Sequence, residues 1–139
     1  MAKVFIVDDH SAVRQNYVLL MRREPDLEFC GEAATGVEAI EKITAAVPDI
    51  VVLDVSLQGE MDGVELLRYL RTRYAELPVL VVSGHDELLY AQRLLDIGAR
   101  GYVQKGDAVA FLQALRQVAK GDTYLSPQLR KQQGPAGAK

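Results

Sequence analysis

Residues 50–55 read Ile50-Val51-Val52-Leu53-Asp54-Val55, a β-branched apolar run interrupted by a single carboxylate. A short run without polar alternation reads as a strand buried on both faces, the kind found inside a parallel sheet. An acid that closes such a run lies against the core, where an unpaired carboxylate is costly. Asp54 therefore needs a partner from elsewhere in the chain.

Runs of the same kind lie on either side of it, at Val4 to Val7, Leu27 to Ala33, Pro78 to Val82 and Gly101 to Val103. Between them apolar residues recur at helical spacing: Val13, Tyr17 and Leu20; Val37, Ile40 and Ile43; Val64, Leu67 and Leu70; Leu88, Ala91 and Leu94; Val109, Leu112, Leu115 and Val118. Thr35 with Glu38 forms a capping-box pattern, Asp107 is placed to cap the last helix, and Gly98 and Gly121 stand where helices should stop. Strands that alternate with single helices imply a parallel sheet covered on both faces by right-handed crossovers. The fold class is therefore α/β, a doubly wound (βα)5 three-layer sandwich. Residues 1–125 make up the domain, and the polar segment 126–139 reads as a flexible linker or tail.

Composition supports one ordinary globular domain. The 139 residues are 49% hydrophobic and 25% charged, long enough to bury about two-thirds of the unfolded surface. Three of the 16 basic residues, Arg130, Lys131 and Lys139, fall in the tail, so the body sets 13 bases against 19 acids for a net −6. An acidic body argues against this domain gripping nucleic acid itself. The single cysteine, Cys30, sits in an apolar stretch and reads as core filling, which suits a reducing, cytoplasmic setting. No apolar run approaches the ~20 residues of a membrane span, and a membrane role is not expected.

In an open parallel sheet, ligands bind outside the carboxyl ends of the strands. Those ends carry Asp8-Asp9, Asp54, Ser83-Gly84 and the segment Tyr102 to Lys105. Each has an ordinary reading by itself: a helix cap for the acidic pair, a turn for Ser83, a solvated loop for Lys105. Capping does not explain why three carboxylates, a hydroxyl and an ammonium share one edge. Clustered carboxylates repel until a proton or cation relieves them, and hard oxygen donors select Mg2+ or Mn2+. His10 and His85 lack zinc-type spacing and read as a helix-start and a loop residue. A carboxylate beside Mg2+, with a lysine and a hydroxyl in reach, is what phosphoryl transfer to Asp54 requires.

The blocks Val4-Phe5-Ile6-Val7-Asp8-Asp9-His10, Ile50-Val51-Val52-Leu53-Asp54-Val55, Val79-Leu80-Val81-Val82-Ser83-Gly84 and Gly98-Ala99-Arg100-Gly101-Tyr102-Val103-Gln104-Lys105 together resemble the receiver domain of bacterial two-component response regulators, over about Lys3 to Gly121. The resemblance implies a flavodoxin-like sheet of order 2-1-3-4-5 and a signalling domain that is not an enzyme toward other substrates. It implies Asp54 as phosphoacceptor, with Mg2+ held by Asp8, Asp9, Asp54 and the Ser56 backbone carbonyl, and Lys105 on the phosphoryl group. Ser83 and Tyr102 match the family's switch pair, which remodels the surface of the fourth helix, fifth strand and fifth helix. The implied partners are a sensor histidine kinase or phosphotransfer protein, and a second copy through that surface or through the first and fifth helices.

Two departures stand out. The loop after Asp54 is one residue longer than usual, with Gln58 where proline is common, and Gly106 follows Lys105 in place of the frequent proline, so a cis peptide is not implied there. That variant, with Gly121-Asp122-Thr123-Tyr124-Leu125-Ser126-Pro127, resembles the subfamily whose receivers precede a LuxR/NarL-type helix-turn-helix. DNA is then expected only through an output domain that this chain lacks, and a stand-alone regulator is the alternative. Kinase specificity is expected on the first helix around Arg14, Gln15 and Val18, and a dimer patch around Leu89, Tyr90 and Phe111, with packing of those side chains in the core as the plain alternative.

Other functions fit less well. An aspartate-nucleophile phosphohydrolase of the haloacid-dehalogenase type wants a second Asp where Ser56 stands, and a flavin binder wants a phosphate cradle where Asp8 and Asp9 would repel one. The serious rival is a receiver-like binding module that signals without phosphorylation, for which the lengthened loop leaves room.

Overall fold

A computed structural model of the chain describes residues 1–84 and 88–125. Five strands, β1 (Ala2–Val7), β2 (Leu27–Ala33), β3 (Ile50–Asp54), β4 (Val79–Ser83) and β5 (Gly101–Gln104), alternate with five helices, α1 (Ser11–Arg22), α2 (Gly36–Ala46), α3 (Gly63–Arg73), α4 (Leu88–Ile97) and α5 (Ala108–Ala119). All pairings are parallel and the order is β2-β1-β3-β4-β5. The chain starts in the sheet interior and changes winding direction at β1/β3, which opens a crevice at the carboxyl ends of those two strands.

Side-chain alternation along the strands sorts the core into two layers. Phe5, Val7, Val51, Leu53, Val79, Val81 and Tyr102 pack with Ala39, Ile43, Leu66, Leu67, Leu70, Ala91 and Leu94 of α2, α3 and α4. Their strand neighbours Val4, Ile6, Ile50, Val52, Leu80, Val82 and Val103 pack on the opposite face with Tyr17 and Met21 of α1 and Phe111, Ala114, Leu115 and Val118 of α5. The central strands β3 and β4 are thus apolar at every position except their last, Asp54 and Ser83, because both faces are covered.

The helix stripes differ from the sequence reading at two places. Val37 and Val109 are exposed, and the inward positions are Gly36, Ala39 and Ile43 on α2 and Phe111, Ala114, Leu115 and Val118 on α5. Both valines occupy the second residue of a helix and lie off the face that meets the sheet. Phe111 does not belong to a surface patch: it is 2% exposed and its ring stacks on Tyr17 at 4.3 Å between centroids. Tyr90 is partly buried against the core, and the side chain of Leu89 lies outside the described residues, as do His85 and residues 126–139.

Helix ends follow local chemistry. Thr35 Oγ1 accepts from Glu38 N at 3.0 Å, but Glu38 Oε1 reaches back to Ala34 N instead of closing a box. The reciprocal box is made at α3, where Asp62 Oδ1 accepts from Glu65 N at 2.8 Å and Glu65 Oε1 from Asp62 N at 3.0 Å. Asp107 caps α5 through Ala110 N, and α4 ends at Gly98 with φ +130°. A Cβ at Gly98 would also lie 2.4 Å from Cδ of Arg71, whose guanidinium donates to the carbonyls of Tyr74 and Leu77. Cys30 falls where the β1/β2 register slips, and burial pushes its thiol pKa up, as a partly buried packing residue requires. Among the described residues no helix is long and apolar enough to cross a membrane.

Removing the Phe111 ring tests this core. Phe111→Ala is expected to cost about 3–5 kcal/mol in urea denaturation. A loss within about 0.5 kcal/mol, the range for exposed positions, would return Phe111 to the surface.

Candidate functional site

Strands β1, β3, β4 and β5 each deliver a polar group at the carboxyl end. Asp8 and Asp9 follow β1, Asp54 closes β3, Ser83 closes β4 and Lys105 follows β5. The ladders fix their heights, since Asp54 is paired with Val82, Ser83 with Gln104, and Lys105 N donates to Ser83 O at 2.7 Å. The edge inferred from the sequence is therefore a single site.

Its centre is a buried charge cluster. The Asp8 and Asp54 side chains are 2% and 1% exposed, and Lys105 Nζ lies 3.1 Å from Oδ2 of each. Toward Asp54 the contact is a hydrogen bond. Toward Asp8 it is charge attraction without hydrogen-bond alignment, so Asp8 Oδ2 is buried with no hydrogen-bond partner among the described residues. Burial pulls the Lys105 ammonium toward neutrality, but the two carboxylates outweigh it and hold its pKa above the ordinary value. The same field reaches the core: burial first, then the charges of Asp8 and Asp54, raise the Tyr17 phenol well beyond its usual range.

The other oxygens are occupied. Asp54 Oδ1 accepts from Ser56 N at 3.0 Å and Ser56 Oγ at 2.7 Å. Asp8 Oδ1 accepts from His10 N at 2.8 Å, and the His10 ring Nδ1 stands 3.0 Å from both Asp8 Oδ1 and Asp9 Oδ1. Asp8, Asp9, His10 and Asp54 each offer a ligand atom, all within 4.8 Å of one another. Three hard carboxylates with a single ammonium among them fit a divalent cation such as Mg2+.

The long loop after Asp54 is pinned at both ends. Val55 and Leu57 are buried, Gly63 N donates to Leu57 O at 3.1 Å, and a Cβ on Gly63 would stand 2.6 Å from the Val55 carbonyl oxygen. Residues 58–60 are exposed, while Ser56 before them holds Asp54 Oδ1 through its N–H and hydroxyl. The peptide after Lys105 is trans, and Ser83 and Tyr102 are both 2% exposed, with the Tyr102 ring packed inward.

Two side chains make contacts that sequence spacing did not reveal. The Arg14 guanidinium, 16% exposed, donates to the Asp8 carbonyl at 2.6 Å and pairs with Glu32 of β2. His10 begins α1 as expected, yet its ring turns into the acid cluster. The adjacency of Asp8, Asp9 and His10 was the available signal, and spacing rules for zinc sites passed over it.

The model of the response regulator receiver domain matches residues 4–116. This chain belongs to that family. Among curated relatives, the receiver is 34% identical over 128 residues to the transcriptional regulatory protein DegU of Brevibacillus brevis, covering 91% of this chain and 54% of the relative. It is 35% identical over 133 residues to the response regulator GacA of Pseudomonas syringae, covering 95% of this chain and 62% of the relative. The chain thus spans just over half the length of these relatives. A two-component response regulator of the LuxR family from an Aurantimonas species superposes with a TM-score of 0.89 at 31% identity, covering 100% of this chain and 99% of that one. The expected fold and sheet order hold. The phosphohydrolase and flavin-binder readings give way to a receiver, a signalling domain.

The shared ammonium makes a measurable claim. Lys105→Met strands two buried carboxylates and is expected to cost about 3 kcal/mol. Adding Asp54→Asn to that variant should recover part of the loss. Urea denaturation of the four chains closes the cycle, and strictly additive costs would overturn the shared charge.

Proposed function

We propose that this receiver accepts a phosphoryl group on Asp54 in a Mg2+-dependent reaction. The observation that carries the reading is the Asp54 carboxylate, held at a strand end between Lys105 and Ser56 and beside Asp8 and Asp9. An Asp54 oxygen attacks phosphorus in line, the bond to the donor breaks with its electron pair, and an acyl phosphate forms on Asp54. Lys105, already beside Asp54, offsets the charge that gathers on the phosphoryl oxygens, and the Ser83 hydroxyl offers them a hydrogen bond. Asp8, Asp9, Asp54 and the Ser56 backbone carbonyl would hold Mg2+, which supplies positive charge to the transferring group. Ser56 keeps Asp54 oriented through its N–H and hydroxyl.

The donor is a sensor histidine kinase or a phosphotransfer protein, and the setting is cytoplasmic. The consequence is a packing change. New charge at Asp54 draws on Ser83, whose strand pairs with β5, and Val81 faces Tyr102 in that ladder. Tyr102 then acts as the switch aromatic, and the surface of α4, β5 and α5 changes partner. Because the relatives named as regulators are longer than this chain, the output is read as transcription through a DNA-binding domain beyond the 1–125 receiver and its 126–139 linker.

Intact-protein mass after exposure to a small-molecule phosphodonor tests the proposal. One phosphoryl group should be gained with Mg2+, with little gained without it and none in Asp54→Asn. No gain by the folded wild type would favour a binding module that works without phosphorylation.

A further inference from the structure

We propose that residues 121–125 form a strap along the open edge of β5, and that a phosphoryl group on Asp54 tightens this strap through the backbone of Tyr102. This rests on the phosphoacceptor reading above and adds a route by which the state of the site reaches the residues that follow 125.

Local chemistry turns the chain onto β5, the last strand in the sheet order. Gly121, with φ +98°, ends α5: its N–H donates to Val118 O at 3.0 Å and that of Asp122 to Gln117 O at 3.1 Å, a Schellman closure. Gln117 Nε2 then donates to Thr123 O at 2.8 Å. From there the chain runs parallel to β5. Tyr124 stands opposite Gly101, its N–H donating to Arg100 O at 2.9 Å and its carbonyl accepting from Tyr102 N at 3.4 Å. Side chains alternate as on a strand: Tyr124, 8% exposed, packs in the layer of α1 and α5, and Leu125 packs against the layer of α2, α3 and α4. Gly101 admits this approach, because a Cβ there would stand 3.0 Å from Leu80 Cδ1, 3.2 Å from Val118 Cγ2 and 3.3 Å from Tyr124 Cβ.

The two backbone pins of the strap differ. The short one rests on Arg100, which is itself tied to β4 by its N–H on Val79 O at 2.9 Å. The long one is the N–H of Tyr102. From Tyr102 the chain continues through Gln104, where β5 ends, to Lys105, whose N–H donates to Ser83 O at 2.7 Å and whose Nζ lies 3.1 Å from Asp54 Oδ2. A phosphoryl group on Asp54 adds contacts to Lys105 and Ser83 and so fixes the carboxyl ends of β5 and β4 together. A strand held at more points opens less often, and the longer Tyr102–Tyr124 bond is the one with room to gain. Linkage runs both ways, so loosening the strap must weaken the site's hold on a phosphoryl group by the same factor.

The test uses the full chain with Mg2+ and fluoroberyllate, in which an Asp54 oxygen takes the fourth position on beryllium and mimics the acyl phosphate. NMR reads amide hydrogen exchange residue by residue with and without the mimic, and fluorine NMR gives its dissociation constant. In the wild type the Tyr102 and Tyr124 amides should exchange about fivefold more slowly, or slower still, once the mimic is bound. Tyr124→Ala removes the ring that seats the strap, and Gly101→Ala wedges the strap away from β5; each should weaken the mimic by a similar factor. Ile43→Ala truncates a side chain, 2% exposed, on α2, which packs on β1 and β2 away from the strap, and should leave the affinity within about twofold. Unchanged exchange at both amides in a wild type that binds the mimic overturns the strap and leaves the phosphoacceptor standing. Affinity that both strap variants retain, or that Ile43→Ala lowers equally, does the same. The exchange measurement needs no variant, so it decides the case even where a variant fails to fold. Failure of the folded wild type to bind the mimic overturns the phosphoacceptor reading and this inference with it.

Discussion

Two carboxylates, Asp8 and Asp54, are buried within reach of one ammonium, Lys105. Removing a carboxylate from water costs several kcal/mol, and the fold tolerates two of them only because the opposite charge is brought between them. Asp9 adds a third acid at the rim, 40% exposed. The cluster carries more negative charge than Lys105 neutralises, so it is poised to take further positive charge. That surplus is what the proposed Mg2+ would offset before a phosphoryl group arrives.

The architecture is what makes such a cluster possible. Strands β1, β3, β4 and β5 run in parallel, so their carboxyl ends meet at one edge, and the ladder that pairs Ser83 with Gln104 also brings Lys105 N to the Ser83 carbonyl. Asp54, Ser83 and Lys105 are thus linked through the backbone hydrogen bonds of β3, β4 and β5. The inward Tyr102 ring belongs to the layer that packs α2, α3 and α4, so repositioning it has to repack that layer. The Tyr17–Phe111 stack on the other face gives the same edge a rigid floor between α1 and α5.

Much of this was legible in residue order. Strand limits from the apolar runs differ from the observed ones by two residues or fewer, because runs buried on both faces have no alternation to confuse. Helix stripes were less legible, since Val37 and Val109 are apolar but lie off the face that meets the sheet, while Phe111 looked free only when its neighbour Tyr17 was unknown. Capping was legible in kind but not in partner: Glu38 reaches Ala34 instead of Thr35. The loop after Asp54 looked like a threat to the site, and the burial of Leu57 and the tight approach of Gly63 to Val55 pin it on either side of the exposed residues 58–60.

By itself the sequence determined the alternation of strands and helices, and with it the parallel sheet whose edge carries Asp8, Asp9, Asp54, Ser83 and Lys105. Those follow from hydrophobic periodicity and from the position of polar residues at run ends, which are local properties of the chain. Only the tertiary structure decided that Lys105 serves two carboxylates at once, that Arg14 is spent on the Asp8 carbonyl and Glu32, and that the His10 ring enters the acid cluster. Side-chain direction and charge pairing depend on elements that are far apart in sequence. Their energies are set by burial, and burial exists only once the sheet and its two helical layers have closed.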